Sequence, residues 1–200
     1  MPVQAVSYRA FLFGKAPAHG DFVSRGLTPE VEAVWDSWAS RELAEADERL
    51  GDGFAAAHDV APPCRFVAGP GALGSDWRAG SVVASIDSAG RRYILAAGLD
   101  GMAANVAGAL GLAVAGRCEG VLYEALADSL TADATLQALE RTLDDPADAR
   151  AAQALGAGAT APGLWWSPGD DTVCAHGAEP PQGLISNLLA RAALALVAAS

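Results

Sequence analysis

Residues 14–26 read Gly-Lys-Ala-Pro-Ala-His-Gly-Asp-Phe-Val-Ser-Arg-Gly, three glycines and a proline in thirteen positions, and they decide how the first part of this chain can fold. Proline removes a backbone donor and locks one dihedral, while glycine weakens the interior of a helix or a strand. No regular element runs through such a stretch, so it is a structured loop. Before it, residues 3–13 alternate loosely and carry Tyr8, Phe11, Leu12 and Phe13, the pattern of an opening strand. After it, Thr28 as cap, Pro29 at the first helical position and Glu30 and Glu32 in the first turn start a helix. Its apolar side is Val31, Val34, Trp35 and Trp38, with Asp36, Arg41, Glu42, Glu45 and Glu48 expected to face water. Gly51 and Gly53 are expected to stop it.

Strand-like runs follow at 64–68, 82–86 and 93–97, the last after the turn Asp87-Ser88-Ala89-Gly90. Gly69-Pro70-Gly71 and the glycines between 74 and 80 punctuate them, which predicts an antiparallel meander. From 101 to 154 the pattern becomes helical and acidic, with Thr131 capping a helix that carries Leu136 and Leu139 and Pro146 opening the next. A loop at 156–163 precedes two short strands, 164–167 and 172–175, across a Pro-Gly-Asp-Asp turn, and 183–199 closes the chain as an amphipathic helix. Strands in runs with helices grouped elsewhere predict an α/β sandwich, a largely antiparallel or mixed sheet covered by helices. Two hundred residues, 52% of them hydrophobic and 18% charged, suit a single domain over 1–200 with a sizeable core.

A net charge of −11 repels the phosphate backbone, which argues against nucleic acid and anionic membrane surfaces as partners. Between 119 and 148 eight acidic residues face Arg141 alone, whereas four arginines between 65 and 92 face Asp76 and Asp87. These blocks read as solvated faces; if functional, the acidic one suits a basic protein partner. Cys64, Cys118 and Cys174 lack metal or redox spacing and read as small buried hydrophobes in a reducing compartment. The beginning of the chain has no leader pattern, and the apolar stretches 102–116 and 184–199 are interrupted by Asn105, Asn187 and Arg191. A cytoplasmic protein without membrane insertion is expected.

Lys15, His19 and Asp21 are the sharpest catalytic candidate, because a lysine, a histidine and a carboxylate within seven residues can handle a phosphate or shuttle a proton. The spacing is not a Walker loop, and no Gly-x-Gly-x-x-Gly occurs. The plainer reading is structural: Asp21 caps local amides and Lys15 pairs with an acid. His19, His58 and His176 are isolated, so neither a metal nor a cofactor is expected. There is no Gly-x-Ser-x-Gly nucleophile elbow, and Asp144-Asp145 and Asp170-Asp171 sit in turn-like contexts as solvated caps. Four of the five tryptophans form two pairs, Trp35 with Trp38 on a helix and Trp165 with Trp166 adjacent. Neighbours in a strand point to opposite faces, so one of Trp165 and Trp166 is core and the other faces a helix layer or a partner.

The motif at 14–26, followed by Trp35-Asp36-Ser37-Trp38, resembles the N-terminal signature of the TagF family of type VI secretion accessory proteins. Residues 66–71 then 77–80, Ser85-Ile86-Asp87 then Gly90-Arg91, and Leu164-Trp165-Trp166 continue the likeness in order. It implies a cytoplasmic, non-enzymatic repressor that restrains type VI secretion after translation by binding the forkhead-associated scaffold component, beside a threonine kinase and phosphatase pathway. Some relatives carry a fused phosphatase domain, for which no residues remain here. Ala16 stands where the family often has leucine, and Arg92 with Ile94 replaces an aromatic-proline stretch after Gly-Arg, so the surface near Arg91 departs from the pattern. No catalytic residue transfers.

The candidate interaction or motif residues are Lys15, His19, Asp21 and Arg25 as loop or surface determinants, Arg91, and Trp35, Trp38, Trp165 and Trp166 as core or anchors. Alanine at Lys15 or Arg25 is expected to leave thermal stability nearly intact while weakening repression. Two other readings stand beside this one: a small-molecule or nucleotide-binding enzyme or regulator using Lys15, His19 and Asp21, and a structural assembly subunit of the secretion machine.

Overall fold

A computed structural model describes residues 8–102, 104–143, 163–168, 173–175 and 180–198. The expected strand start before Tyr8, the helix opened by Pro146, most of the 156–163 loop, the Pro-Gly-Asp-Asp turn beyond Pro168, both acid pairs and His176 lie outside the described residues. Seven strands, β1 (Arg9–Gly14), β2 (Val23–Arg25), β3 (Cys64–Ala68), β4 (Trp77–Ile86), β5 (Arg92–Met102), β6 (Gly163–Trp166) and β7 (Val173–Ala175), form one sheet in the order β2-β1-β5-β4-β3-β6-β7. Every neighbouring pair is antiparallel.

The successive strands present alternate residues to two helical layers, as the period-two pleat requires. Phe11, Phe13, Phe66, Val82, Ala96 and Trp165 face a layer built from α1 (Pro29–Leu50), α2 (Phe54–Asp59) and α5 (Leu184–Ala198). Leu12, Val67, Val83, Leu95 and Leu99 face α3 (Ala104–Ala127) and α4 (Ala132–Leu143). The result is a helix-sheet-helix sandwich, in agreement with the expected fold class. The tryptophan pairs serve this architecture: Trp35 meets Phe11, Trp38 and Phe66 with ring centres 5.6–5.9 Å apart, and Trp165 stacks on Phe66 at 4.8 Å. Trp166 lies half-buried on the opposite face.

β4 and β5 run well past 82–86 and 93–97, because glycines that look like breaks in the sequence sit inside the strands. Gly80 and Gly98 are cross-strand partners. A Cβ at Gly80 would lie 2.0 Å from the Ala97 carbonyl oxygen, and one at Gly98 would lie 2.1 Å from that of Ala79. Glycine is there for close approach, not interruption.

Two residues of α1 are opposite to expectation. Val34 is 38% exposed, whereas Glu42 is fully buried. The reason is α5, which packs on α1 and starts beside Glu42. The Glu42 carboxylate accepts hydrogen bonds from the Gly183 and Ile185 N–H groups at 2.8 and 3.0 Å, supplying the acceptor that α5 lacks at its own start. Burial pushes this carboxyl up from its ordinary value while the two N–H donors pull it back. Trp38 completes the junction by donating its indole N–H to the Pro181 carbonyl at 3.0 Å.

Candidate functional site

The loop expected over 14–26 is shorter than that, because 23–25 pair back on β1 as β2; it leaves β1 with Gly14 at φ +129°, where a Cβ would lie 2.1 Å from the Ile94 carbonyl oxygen. That turn carries Lys15 inward. Its N–H donates to the same Ile94 carbonyl at 2.9 Å, and Ser85 donates its hydroxyl to the Lys15 carbonyl at 2.6 Å. The Lys15 ammonium reaches Asp87 Oδ2 at 3.2 Å and lies 5.2 Å from the Phe22 ring centre and 5.9 Å from that of Tyr93. Lys15 is 8% exposed and paired with an acid, so of its two expected roles it is a residue of the loop's interior and not a surface determinant. Its ammonium is sequestered from solvent by aromatic rings and the β4–β5 turn, and alanine there removes a buried charge partner.

Asp87 is the hub of this arrangement. It is 2% exposed, and its carboxylate accepts from the backbone N–H groups of Ala89 and Arg91 at 2.9 Å each, from Arg91 Nε at 2.6 Å and from Lys15. Burial opposes its charge, but the donors from Arg91, Lys15 and Ala89 outweigh it and hold the carboxyl well below the usual carboxylate range. Sequence reasoning missed Asp87 as a site residue. The signal was present in its place at the head of the Asp-Ser-Ala-Gly turn, where a carboxylate bonds its own backbone two residues on.

The remaining candidates take separate partners. Asp21 is fully exposed and stands 4.0 Å from Arg91 Nη2, which also donates to the Gly20 carbonyl. The Ser88 N–H donates to the His19 carbonyl at 2.9 Å, which seals the loop against the β4–β5 turn. The His19 ring points elsewhere: its Nε2 accepts from the Ala132 N–H at 2.9 Å, at the start of α4. The imidazole thus acts as an added cap beside Thr131, whose hydroxyl accepts from the Ala134 N–H at 3.3 Å. Arg25 donates to Asp133 at 2.7 Å in the same first turn. Lys15 and Asp21 thus meet one turn through Asp87 and Arg91, while His19 and Arg25 tether α4. The side chains of Lys15, His19 and Asp21 take three different partners, Asp87, the Ala132 N–H and Arg91.

The other arginines of the 65–92 block are each committed as well: Arg65 to Glu119 at 2.8 Å, Arg78 to Asp100 at 2.7 Å and Arg92 to Asp59 at 2.8 Å. Among the described residues no group of three His, Cys, Asp or Glu side chains could hold a metal ion, and no helix is long and apolar enough to cross a membrane. Cys64 and Cys118 are buried, with burial pushing the Cys118 thiol up to about 12. Two open clefts of about 420 Å³ each lie elsewhere, one along α5 beside Trp166, Gln182 and Asn187, the other between α1 and Ala72 beside Val34 and Arg41. Neither is lined by Lys15, His19, Asp21 or Arg25.

The same architecture occurs in a solved protein, PA0076 from Pseudomonas aeruginosa PAO1, with a TM-score of 0.70 and 25% sequence identity, over 90% of this chain and 93% of that one. A search of curated proteins finds no match. The family described as TagF N-terminal domain, type VI secretion system-associated, matches residues 12–145, which include the loop, α1, the meander and the two helices of the far layer. This match, over two thirds of the chain, makes it a type VI secretion-associated protein. Within that class, the chain belongs to the TagF family.

Proposed function

We propose that this protein restrains type VI secretion by binding, without catalysis, and that its target is the forkhead-associated scaffold component of the machine. The observation that supports this reading is the state of the loop's polar groups. Lys15 is sequestered by Asp87 and aromatic rings, and His19 spends its lone pair on an α4 amide. Groups consumed in this way hold a shape and are not poised for proton transfer or phosphate capture. A shape-holding loop in a TagF chain favours recognition over turnover. A binder acts by mass action: it shifts its target toward the state it prefers by its difference in affinity between states.

Deleting the gene and measuring secretion tests the proposal. Repression requires secretion to rise, whereas an assembly subunit requires it to disappear. Purified protein titrated with purified scaffold component tests the partner. A nucleotide or phosphorylated metabolite that raised Tm in step with its concentration, and ceased to do so in Lys15→Met, would move the reading to a ligand-binding enzyme or regulator.

A further inference from the structure

The chain has one lysine among its thirteen basic residues, and that lysine is buried in the loop. A buried ion pair is an expensive way to fill space, since well-packed apolar residues of similar volume are commonly as stable or more so. The pair therefore has a positional use, and the geometry shows what it positions. Phe22 is the one large apolar side chain that the loop leaves half outside, at 50% exposure, yet it is held on three sides. It stacks on Phe13 with centres 6.2 Å apart, meets the edge of Tyr93 at 4.8 Å and has the Lys15 ammonium 5.2 Å away. Tyr93 is fixed in turn, because its hydroxyl donates to Asp36 Oδ1 at 2.9 Å. An exposed aromatic ring whose rotamer is already set loses little entropy on binding, the property of an interface anchor.

We propose that Phe22 is the anchor of the binding surface in the reading above, and that it enters an apolar socket rimmed by basic groups on a folded protein partner. This inference rests on the proposed function and specifies its surface. The class of partner follows from charge. The chain carries −11 overall, which disfavours nucleic acid and anionic lipid. Next to Phe22 in the chain, Asp21 is fully exposed, and the Arg91 guanidinium 4.0 Å from it is also held by Asp87 at 2.6 Å. An exposed apolar ring followed along the chain surface by an exposed carboxylate, in a molecule of net negative charge, is complementary to a socket bordered by lysine or arginine. Lys15 and Asp87 are positioning residues here and touch no partner.

The test has two arms. In the first, scaffold component is titrated with the wild-type chain, Phe22→Ala, Asp21→Lys and Val60→Ala, the last altering another exposed hydrophobe at 53% exposure. Phe22→Ala is expected to weaken binding about 30-fold. Asp21→Lys is expected to slow association and flatten its salt dependence, and Val60→Ala to bind as wild type. Wild-type affinity in a folded Phe22→Ala overturns the proposal. In the second arm, a benzophenone amino acid at position 22 or at position 60 of the full chain is photolysed in cells. An adduct with a type VI secretion component from position 22 alone supports the surface, even if Phe22→Ala fails to fold. An adduct with a different type VI component, with no scaffold binding by the wild type, keeps the surface and refutes the scaffold as target. Adducts from position 60 and none from position 22 overturn the inference.

Discussion

Arg78 and Asp100 are register partners on β4 and β5, each about 1% exposed, with Nη2 and Oδ1 2.7 Å apart in the interior of the sheet. Arg9, the partner of Asp100 on β1, adds a second guanidinium at 3.2 Å from the other carboxylate oxygen. Three adjacent strands are thus joined by one row of charge, and burial pushes the Arg78 guanidinium down from its ordinary value against the pull of Asp100. Asp100→Ala leaves a buried guanidinium without a counter-charge and is expected to cost about 3–5 kcal/mol in unfolding free energy, measured by denaturant titration. Arg78→Met together with Asp100→Leu is expected to recover most of that loss. A double variant no better than Asp100→Ala would show that the row does more than balance its own charges.

Glu42 gives a second expectation, because it belongs to α1 yet caps α5. Glu42→Ala strips the Gly183 and Ile185 N–H groups of their acceptor in a buried place, and a loss of about 1–3 kcal/mol follows. Glu42→Gln keeps one acceptor oxygen and is expected to fall between. Hydrogen exchange should locate the effect at the first turn of α5, with α3 and α4 unchanged.

Lys15→Ala is expected to lower Tm by about 5–10 °C, since it uncouples Asp87 from a charge that is out of water. Arg25→Ala removes an exposed pair, Arg25 being 41% and Asp133 72% exposed, and is expected to shift Tm by no more than about 2 °C. Scanning calorimetry of the two variants side by side checks the contrast. Equal shifts would contradict the buried position of the lysine.

Stability should already fall as acid is added just below neutral pH, and His58 is the reason. It is 2% exposed, its Nε2–H donates to the Tyr93 carbonyl at 2.8 Å, and its Nδ1 lies 3.8 Å from Asp59 Oδ1, too far for a hydrogen bond. Burial lowers its pKa below 6.5, with Arg92 acting the same way and Asp59 and the Tyr93 bond opposing. The folded state therefore declines a proton that the unfolded chain accepts, so the stabilising difference is whole above about 6.5 and shrinks as pH drops below it. His58→Leu should flatten Tm against pH between about 6.5 and 5, whereas the loss below the carboxylate range, where Asp87 must protonate, should persist in that variant.

Local chemistry made much of this legible in advance. Pro29 started α1 where expected, although the Thr28 hydroxyl before it makes no cap hydrogen bond; the 64–97 region was a meander, and adjacent Trp165 and Trp166 did divide between the two faces of the sheet. Each of these depends on near neighbours in the chain, through caps, turns and the two-residue pleat. The errors arose where a distant segment supplied the environment. Gly80 and Gly98 looked like breaks because their reason for being glycine is each other's strand, and Glu42 looked like a surface acid because the first N–H it accepts from, that of Gly183, lies 141 residues later. The candidate site divides the same way. Sequence alone brought Lys15, His19, Asp21 and Arg25 into view as one loop of unusual chemistry, since residue type and spacing are written in the chain. Only the tertiary structure could turn Lys15 inward onto Asp87, send His19 to α4 and leave Phe22 outside, because the direction of a side chain is set by what packs around it, and Asp87, Tyr93 and Ala132 reach this loop only through the pairing of β1 with β5 and the docking of α4.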